Sequence, residues 1–145
     1  MTQPIQDWET LTVGEEFGPF IYEVSAERVA AYRSVTGDHR VEVVDGEAVA
    51  PPTILTFPML LMAEDKYTPR PGGIHARQVF ELLAPVRVGA TLTVTGVLTD
   101  MRLKRGRKYF TVESIAVDER GTTVARGEAV GLYPSIDIRE EAAGD

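Results

Sequence analysis

The feature of the sequence that most constrains the fold is a change of hydrophobic period near residue 74. Between residues 54 and 65 apolar side chains follow one another on nearly all sides, which is typical of a helix buried in the middle of a domain. After residue 74 apolar and polar side chains alternate, as they do in strands. A curved antiparallel sheet wrapped around the helix would bury the apolar surface of both, so we expect an α+β fold.

The second half of the chain predicts four strands, at residues 74–83, 91–99, 109–117 and 124–133. Turns are predicted at 104–107 and 119–121, where glycine occurs among charged residues. One face of the last strand carries only small side chains, which lets a helix approach the sheet closely. These residues are Thr123, Ala125, Gly127, Ala129 and Gly131.

The first half predicts a short strand at residues 20–24 followed by a helix. Ser25 suits the helix N-cap because its hydroxyl accepts from free amide groups, and Gly37 suits the helix end. Residues 38–50 are expected to form a polar loop or a weak strand. Two prolines, at 51 and 52, then break the chain, and Pro58 is tolerable if it lies in the first turn of the second helix.

Composition limits the classes of function. With 145 residues, 43% hydrophobic and 26% charged, the chain fits one soluble globular domain over residues 1–145, with an acidic tail from about 136 expected to be flexible. A net charge of −7 argues against binding to nucleic acid or to anionic membranes. The absence of cysteine excludes disulfides, thiolate metal sites and a cysteine nucleophile, and no metal-ligand cluster is apparent.

Targeting signals are not apparent either. The first ten residues are polar and acidic, which predicts no signal peptide, and the longest apolar run is too short to span a bilayer. A cytoplasmic location is therefore expected.

Three segments, residues 31–38, 50–53 and 80–89, resemble parts of the MaoC-like hydratase and dehydratase family in the right order. The resemblance runs over residues 13–133 and implies a hot-dog fold. It is nearest to the mycobacterial-type dehydratase subunits, which often form one half of a two-subunit enzyme. The implied reaction is hydration of a 2-enoyl thioester, or dehydration of a 3-hydroxyacyl thioester, carried on coenzyme A or an acyl carrier protein. No further cofactor is implied, and a homodimer or a heterodimer with a second MaoC-like subunit is expected.

The family's hydratase motif begins Thr-Gly-Asp and has a histidine five residues after the aspartate. Hydration needs two groups, one that takes a proton from water and one that donates a proton to the α-carbon. Asp38 occupies the aspartate position, but Val43 stands where the family has histidine. The resemblance therefore assigns Asp38 to the reacting pair, with the neighbouring His39 as its candidate partner. The alternatives are a turn-forming aspartate and an exposed loop histidine.

Other candidates follow from the same resemblance. Backbone amides at the start of the central helix would bind the thioester oxygen, and since proline has no amide the candidates are Thr53, Ile54 and Leu55. His75 would line the acyl pocket or a subunit interface, or it is simply a surface histidine, and Phe57 is a candidate for the same pocket or interface. A basic hairpin would bind phosphates, or it is simply a solvated turn. Its cations are Arg102, Lys104, Arg105, Arg107 and Lys108.

Three hypotheses of function remain open from the sequence. The leading one is a hydro-lyase that uses Asp38. The second is a non-catalytic subunit that binds the acyl chain and docks a catalytic MaoC-like partner, and valine at position 43 favours it. The third is a hot-dog thioesterase, in which Asp38, Glu42 or Glu64 would activate water. Glu42 and Glu47 are also candidates for a carboxylate base beside Asp38.

Overall fold

Five strands form one antiparallel sheet in the order β1-β5-β6-β7-β4. The structure, a computed structural model, describes residues 3–135. The elements in chain order are β1 (Glu16–Glu23), α1 (Ala26–Thr36), β2 (Glu42–Val44), β3 (Glu47–Val49), a 3-10 turn (Pro52–Leu55), α2 (Thr56–Leu61), β4 (Ile74–Leu82), β5 (Thr91–Lys104), β6 (Arg107–Asp118) and β7 (Thr123–Leu132). Strands β2 and β3 pair in a separate hairpin.

The core lies between the inner face of this sheet and the central helical segment. On β5, every second residue from Leu92 to Leu98 is buried: Leu92, Val94, Gly96 and Leu98. The three aliphatic side chains among them belong to one apolar cluster with Ile54 and Met59 of the central segment. This arrangement confirms the predicted hot-dog fold, in which a sheet wraps around a central helix.

Both ends of the first helix, α1, follow its sequence signals. The Ser25 hydroxyl accepts a hydrogen bond from the Arg28 amide at 3.2 Å, as an N-cap should. Gly37 ends the helix in the left-handed conformation, with φ of 72°, and donates its amide to the Arg33 carbonyl. The predicted start and end of α1 are confirmed.

The central helix differs from the prediction. It is not one helix over 54–65 but a 3-10 turn followed by the short helix α2, in whose first turn Pro58 lies as expected. It is also not buried on all sides, since Phe57 is 56% exposed and Leu60 is 40% exposed. The sequence pattern does not distinguish burial within this chain from apolar surface left for another molecule, and this explains the error.

Small residues in the sheet let the central segment lie close to it. A Cβ on Gly127 would come within 3.0 Å of the Met59 side chain, and a Cβ on Gly96 within 2.7 Å of the Met62 sulfur. The predicted close approach over β7 is therefore confirmed at Gly127. Gly96 on β5 serves the same purpose and was missed, because a single glycine gives no repeated pattern.

Several boundaries also differ from the sequence prediction. Strand β1 starts four residues earlier than expected, and β5 runs five residues further, into the basic hairpin. Residues 38–50, expected as loop or weak strand, contain the short hairpin of β2 and β3. The acidic tail expected to be flexible lies outside the described residues. Within residues 3–135, no helix is both long and apolar enough to cross a membrane.

Candidate functional site

Asp38 lies just after the end of α1, where it is paired with a cation. Its two carboxylate oxygens accept hydrogen bonds from Nε and Nη2 of Arg40 at 2.9 and 3.0 Å. The Arg40 backbone amide also donates to it at 3.2 Å. These hydrogen bonds, the guanidinium ones first, lower the pKa of Asp38 to about 2. Asp38 is therefore a carboxylate fixed by its neighbour rather than a free group.

The space beside Asp38 is small. A cleft of about 30 Å³ is lined by Asp38, Arg33 and Arg40 together with the prolines that precede the central helix. This volume is about that of one water molecule. Arg33 lies against it and donates from Nη2 to the Val49 carbonyl at 3.4 Å, while its Nε is buried without a hydrogen-bond partner. The cleft has no room for an acyl chain within this chain alone.

The candidate amide donors lie next to this cleft. The hydroxyls of Tyr32 and Thr53 share a hydrogen bond of 2.6 Å, which ties α1 to the start of the 3-10 turn. The Ile54 amide already donates to the Pro51 carbonyl at 3.0 Å. For Thr53 and Leu55, no amide hydrogen bond outside regular helix or strand pairing is found among the described residues. The Ile54 amide is thus engaged within the turn, whereas Thr53 is held against α1 by the hydrogen bond between its hydroxyl and that of Tyr32.

The second member of the predicted reacting pair is not held near Asp38. His39 is exposed and makes no hydrogen bond or ion pair within residues 3–135. Val43, at the family's histidine position, is also exposed, on β2. Glu42 is exposed on the same strand and lines the same small cleft as Asp38, with the charge of Arg40 nearby. The structure brings Asp38 together with arginines and not with a histidine.

Glu47 belongs to a different ion-pair network, on the far side of the β2–β3 hairpin. It accepts from both terminal nitrogens of Arg120 at 3.0 and 3.1 Å, and this lowers the pKa of Glu47. Arg87 pairs with Glu119 at 2.6 Å and lowers the pKa of Glu119 to about 2. Glu47 therefore fixes the hairpin to the β6–β7 turn and is not a base beside Asp38.

A much larger cavity, of about 360 Å³, opens at the other end of the central helix. Its apolar lining comes from the helix and from the ends of β6 and β7, and includes Met59, Met62, Phe110 and Val112. Glu64 lies at its wall. The cavity therefore has an apolar interior of the kind that accepts a hydrocarbon chain.

Cationic and aromatic side chains lie together at one part of this cavity's wall. Arg70 lies over the Tyr133 ring at 5.7 Å, and Lys108 lies over the same ring at 5.8 Å. Tyr133 and Arg70 are both lining residues, as is His75, which is exposed at the start of β4 opposite Gly131. His75 is thus one of the residues that line this cavity, whereas Phe57 is exposed on the helix and is not part of this lining.

The basic hairpin extends from the same end of the sheet. Arg102, Lys104, Arg105 and Arg107 are exposed and Lys108 is half-buried at its base. Lys108 pairs with Glu9 at 3.2 Å and Arg102 with Asp100 at 3.5 Å. Among the described residues, no group of three or more histidine, aspartate or glutamate side chains is placed to hold a metal ion.

Sequence reasoning missed the residue that controls Asp38. Arg40 follows it by two positions, a spacing at which an aspartate in a turn accepts the backbone amide of the later residue. This spacing indicates the hydrogen bond from the Arg40 backbone amide, but it does not indicate the two hydrogen bonds from the Arg40 guanidinium. The Tyr32–Thr53 contact joins residues 21 positions apart, and no local pattern indicates it.

Comparisons with known proteins concern the family and the fold. The model of the FAS1-like dehydratase domain region matches residues 11–127, most of the chain. A UPF0336 protein from Streptomyces griseus is 28% identical over 128 residues, covering 77% of this chain and 85% of that protein.

Solved structures share the fold at low identity. The R-hydratase PhaJ1 from Pseudomonas aeruginosa superposes with a TM-score of 0.74 at 18% identity, covering 88% of this chain and 85% of that one. The HadBC complex from Mycobacterium tuberculosis, a (3R)-hydroxyacyl-ACP dehydratase, gives a TM-score of 0.71 at 17% identity, covering 85% of this chain and 98% of the matched one. At these identities the likeness is one of fold.

Proposed function

The chain belongs to the family of FAS1-like dehydratase domain regions, and on that premise we propose that it is an acyl-thioester-binding subunit of a dehydratase. The assembly adds water to a 2-enoyl thioester or removes it from a 3-hydroxyacyl thioester. This chain binds the acyl group, and a second MaoC-like subunit supplies the aspartate and histidine that move the protons.

The state of Asp38 carries this proposal. A general base works best when its pKa lies near the working pH, and a carboxylate with a pKa of about 2 is a weak base at neutral pH. Arg40 donates to both oxygens, which stabilises the ionised, weakly basic form of the carboxylate. Position 43 is valine and His39 points into solvent, so no imidazole is held beside Asp38 to complete a reacting pair.

The cavity at the other end of the central helix supports the binding role. It offers about 360 Å³ of largely apolar space, against about 30 Å³ beside Asp38. Met59 and Met62 are flexible side chains that adapt to ligands of different shape. The cations Arg70 and Lys108 lie against Tyr133, a residue of the cavity lining, and would attract the negative charges of the thioester's carrier.

An exposed sheet edge supports association with a second subunit. Strand β4 is an edge of the sheet, and Ile74, Val79 and Leu82 on it are exposed. An exposed edge with aliphatic side chains favours pairing with another strand. Phe57 and Leu60, exposed on the central helix, add apolar surface that a partner would cover. The likeness to a two-subunit dehydratase is in keeping with such a partner.

Binding of a saturated acyl thioester tests the proposal without any catalytic step. Calorimetric titration with octanoyl-CoA should show saturable binding by the wild type. Ala63→Leu, which fills part of the cavity wall, should weaken that binding by roughly tenfold, since a methylene clash costs on the order of 1 kcal/mol or more. Ala31→Leu, at an exposed position on α1, is the matched control and should bind like the wild type. Equal affinities for all three proteins would contradict the assignment of the cavity.

A further inference from the structure

The chain ahead of the first strand lies against the large cavity. Residues 3–10 form a strap that runs beside the segment following the central helix. Ile5 and Thr68 make an isolated parallel β-bridge. Around it the Gln6 amide donates to the Thr68 carbonyl, and the Thr68 amide donates to the Pro4 carbonyl, both at 3.0 Å. The strap is therefore attached by backbone hydrogen bonds of the kind that join two strands.

The middle of the strap forms part of the cavity wall. Gln6 is one of the lining residues, and its carbonyl accepts a hydrogen bond from the Tyr133 hydroxyl at 3.1 Å. Trp8 packs on the Tyr133 ring, with 5.9 Å between the ring centroids. Tyr133 itself lines the cavity, and Lys108 lies over both rings. Movement of the strap would therefore open this part of the wall and release the Tyr133 hydroxyl.

Little apolar burial holds the strap in place. Within residues 3–10 no side chain is buried, and residues 5–8 are half-buried. Leu11, directly after the strap, is buried and belongs to the core cluster. The Thr10 and Leu11 amides both donate to the Asp7 carbonyl at 3.1 Å, so the chain turns just before this anchor. Segments with few buried apolar contacts open locally while the rest of the fold stays intact. The strap is thus able to leave the wall while Leu11 keeps it attached to the core.

The deep side of the cavity is fixed by comparison. Met59, Met62 and Val112 line it, and all three belong to the buried core cluster. Displacing their backbone would disturb the packing between the sheet and the central segment, because protein cores are close-packed. A ligand must therefore enter past a wall that lies outside the core, and the strap is such a wall.

We propose that the strap is a gate of the cavity, which swings out about the turn at residues 7–11, admits an acyl chain and then closes. This inference rests on the proposed function and adds the step by which the ligand enters and leaves. In the closed state Gln6 completes the wall. In the open state the Tyr133 hydroxyl, released from the Gln6 carbonyl, is a free donor beside the Lys108 cation, and both face the polar part of the entering ligand.

A reversible cross-link tests the gate. The chain contains no cysteine, so Ile5→Cys/Thr68→Cys introduces a single pair that can form a disulfide. The two residues are bridge partners, and paired strands lie about 4.8 Å apart, within the range of about 4.4–6.8 Å between the Cα atoms of disulfides. Ile21→Cys/Thr93→Cys is the matched control, because it makes the same two replacements at paired, exposed positions of β1 and β5. Free-thiol titration measures the cross-linked fraction, and circular dichroism checks folding in both redox states.

The rates of binding give the main result. Trp8, the only tryptophan in the sequence, lies in the strap and reports binding by its fluorescence. In stopped-flow mixing, the oxidised strap variant should bind and release octanoyl-CoA about tenfold or more slowly than its reduced form, because binding that requires a conformational change is slow when that change is blocked. The affinity should change less than either rate, since a gate alters the barrier and not the bound state. The control should keep wild-type rates in both redox states. Unchanged rates on oxidation of the strap pair would overturn the proposal.

Hydrogen exchange separates this proposal from the proposed function, since it needs no ligand. In the wild type the Gln6 and Thr68 amides should exchange faster than the amide of Leu98, which donates to the Glu15 carbonyl and belongs to a core residue. Oxidation of the strap variant should slow exchange at Gln6. If octanoyl-CoA fails to bind the wild type but this exchange is seen, the cavity assignment fails and the opening of the strap stands. Exchange at Gln6 and Thr68 as slow as at Leu98 would overturn the gate even if the ligand binds.

Discussion

Both carboxylate oxygens of Asp38 accept hydrogen bonds from the guanidinium of Arg40, at 2.9 and 3.0 Å. The pair lies at the end of α1, where the family resemblance places one half of a reacting dyad. Arginine keeps its charge at any pH a protein tolerates, so the ion pair is lost only when Asp38 itself is protonated. The hydrogen bonds from Arg40 therefore make Asp38, which stands at the family's proton-transfer position, part of a structural ion pair.

Removing the Arg40 guanidinium should free the carboxylate. In Arg40→Gln we expect the pKa of Asp38 to rise from about 2 toward its ordinary value of 3.8, as the main hydrogen bonds to the ionised form are lost. Arg40→Lys keeps the charge but not the paired geometry and should give an intermediate value. Carbon-detected NMR of the side-chain carboxyl measures this. An Asp38 pKa unchanged in Arg40→Gln would show that the pair does not form in solution.

The same pair makes a pH-dependent contribution to stability. The pKa of Asp38 is lower in the folded chain than its ordinary value, so its contribution is present above about pH 4 and is lost as the pH falls through about 2. The stability difference between wild type and Arg40→Gln in urea unfolding should therefore shrink over this window. If the difference in unfolding free energy between the two proteins stayed constant from pH 5 to pH 2, it would come from packing and not from the ion pair.

The apolar cluster between sheet and central segment should dominate stability. Leu92 is 0% exposed on β5, so Leu92→Ala should cost about 2–5 kcal/mol in the free energy of unfolding, the range for a buried leucine. Leu103→Ala makes the same chemical change at a 69% exposed position and should cost less than about 0.5 kcal/mol. Denaturant titration measures the free energy of unfolding of both variants. Similar losses in the two variants would show that Leu92 does not belong to the core.

Close packing at the cavity wall makes Gly131 sensitive to a single methyl group. A Cβ there would come within 2.7 Å of the Phe110 ring, so Gly131→Ala should destabilise the fold by about 1–3 kcal/mol and push the ring toward the cavity. A Cβ on Gly73 would approach its nearest neighbour only to 3.4 Å, so Gly73→Ala is the control. Octanoyl-CoA should bind less tightly to Gly131→Ala than to Gly73→Ala. Equal free energies of unfolding for Gly131→Ala and Gly73→Ala would show that the Phe110 ring moves aside without loss of stability, which would contradict the prediction.

The exposed edge of the sheet predicts a dimer. Light scattering at micromolar concentration should give twice the mass of the 145-residue chain, or the mass of a mixed pair with its partner. Val79→Asp combined with Leu82→Asp on β4 should shift the chain toward monomer, since both side chains are exposed on that edge. Ile21→Asp on β1, the opposite edge, should leave the mass unchanged. A monomeric wild type would contradict the prediction.

Local signals in the sequence predicted most of the fold but little of the site. The caps of α1 at Ser25 and Gly37 depend on neighbouring residues only, and both are confirmed. The strands follow an alternation that needs no knowledge of the partner strand. The pairing of Asp38 and the position of the cavity depend on how α1 and the central helix are placed, and no run of residues encodes that placement. The exposure of Phe57 was missed because the pattern records apolarity alone.

Hydration of crotonyl-CoA by the isolated chain tests the central claim most directly. The loss of the thioester's ultraviolet absorbance is followed for the wild type and for Asp38→Asn, with binding of octanoyl-CoA measured on the same samples. We predict that both proteins bind the saturated thioester and that neither hydrates crotonyl-CoA above the uncatalysed rate. Hydration by the wild type that collapses in Asp38→Asn would contradict the account and make Asp38 a catalytic residue of a self-sufficient hydratase.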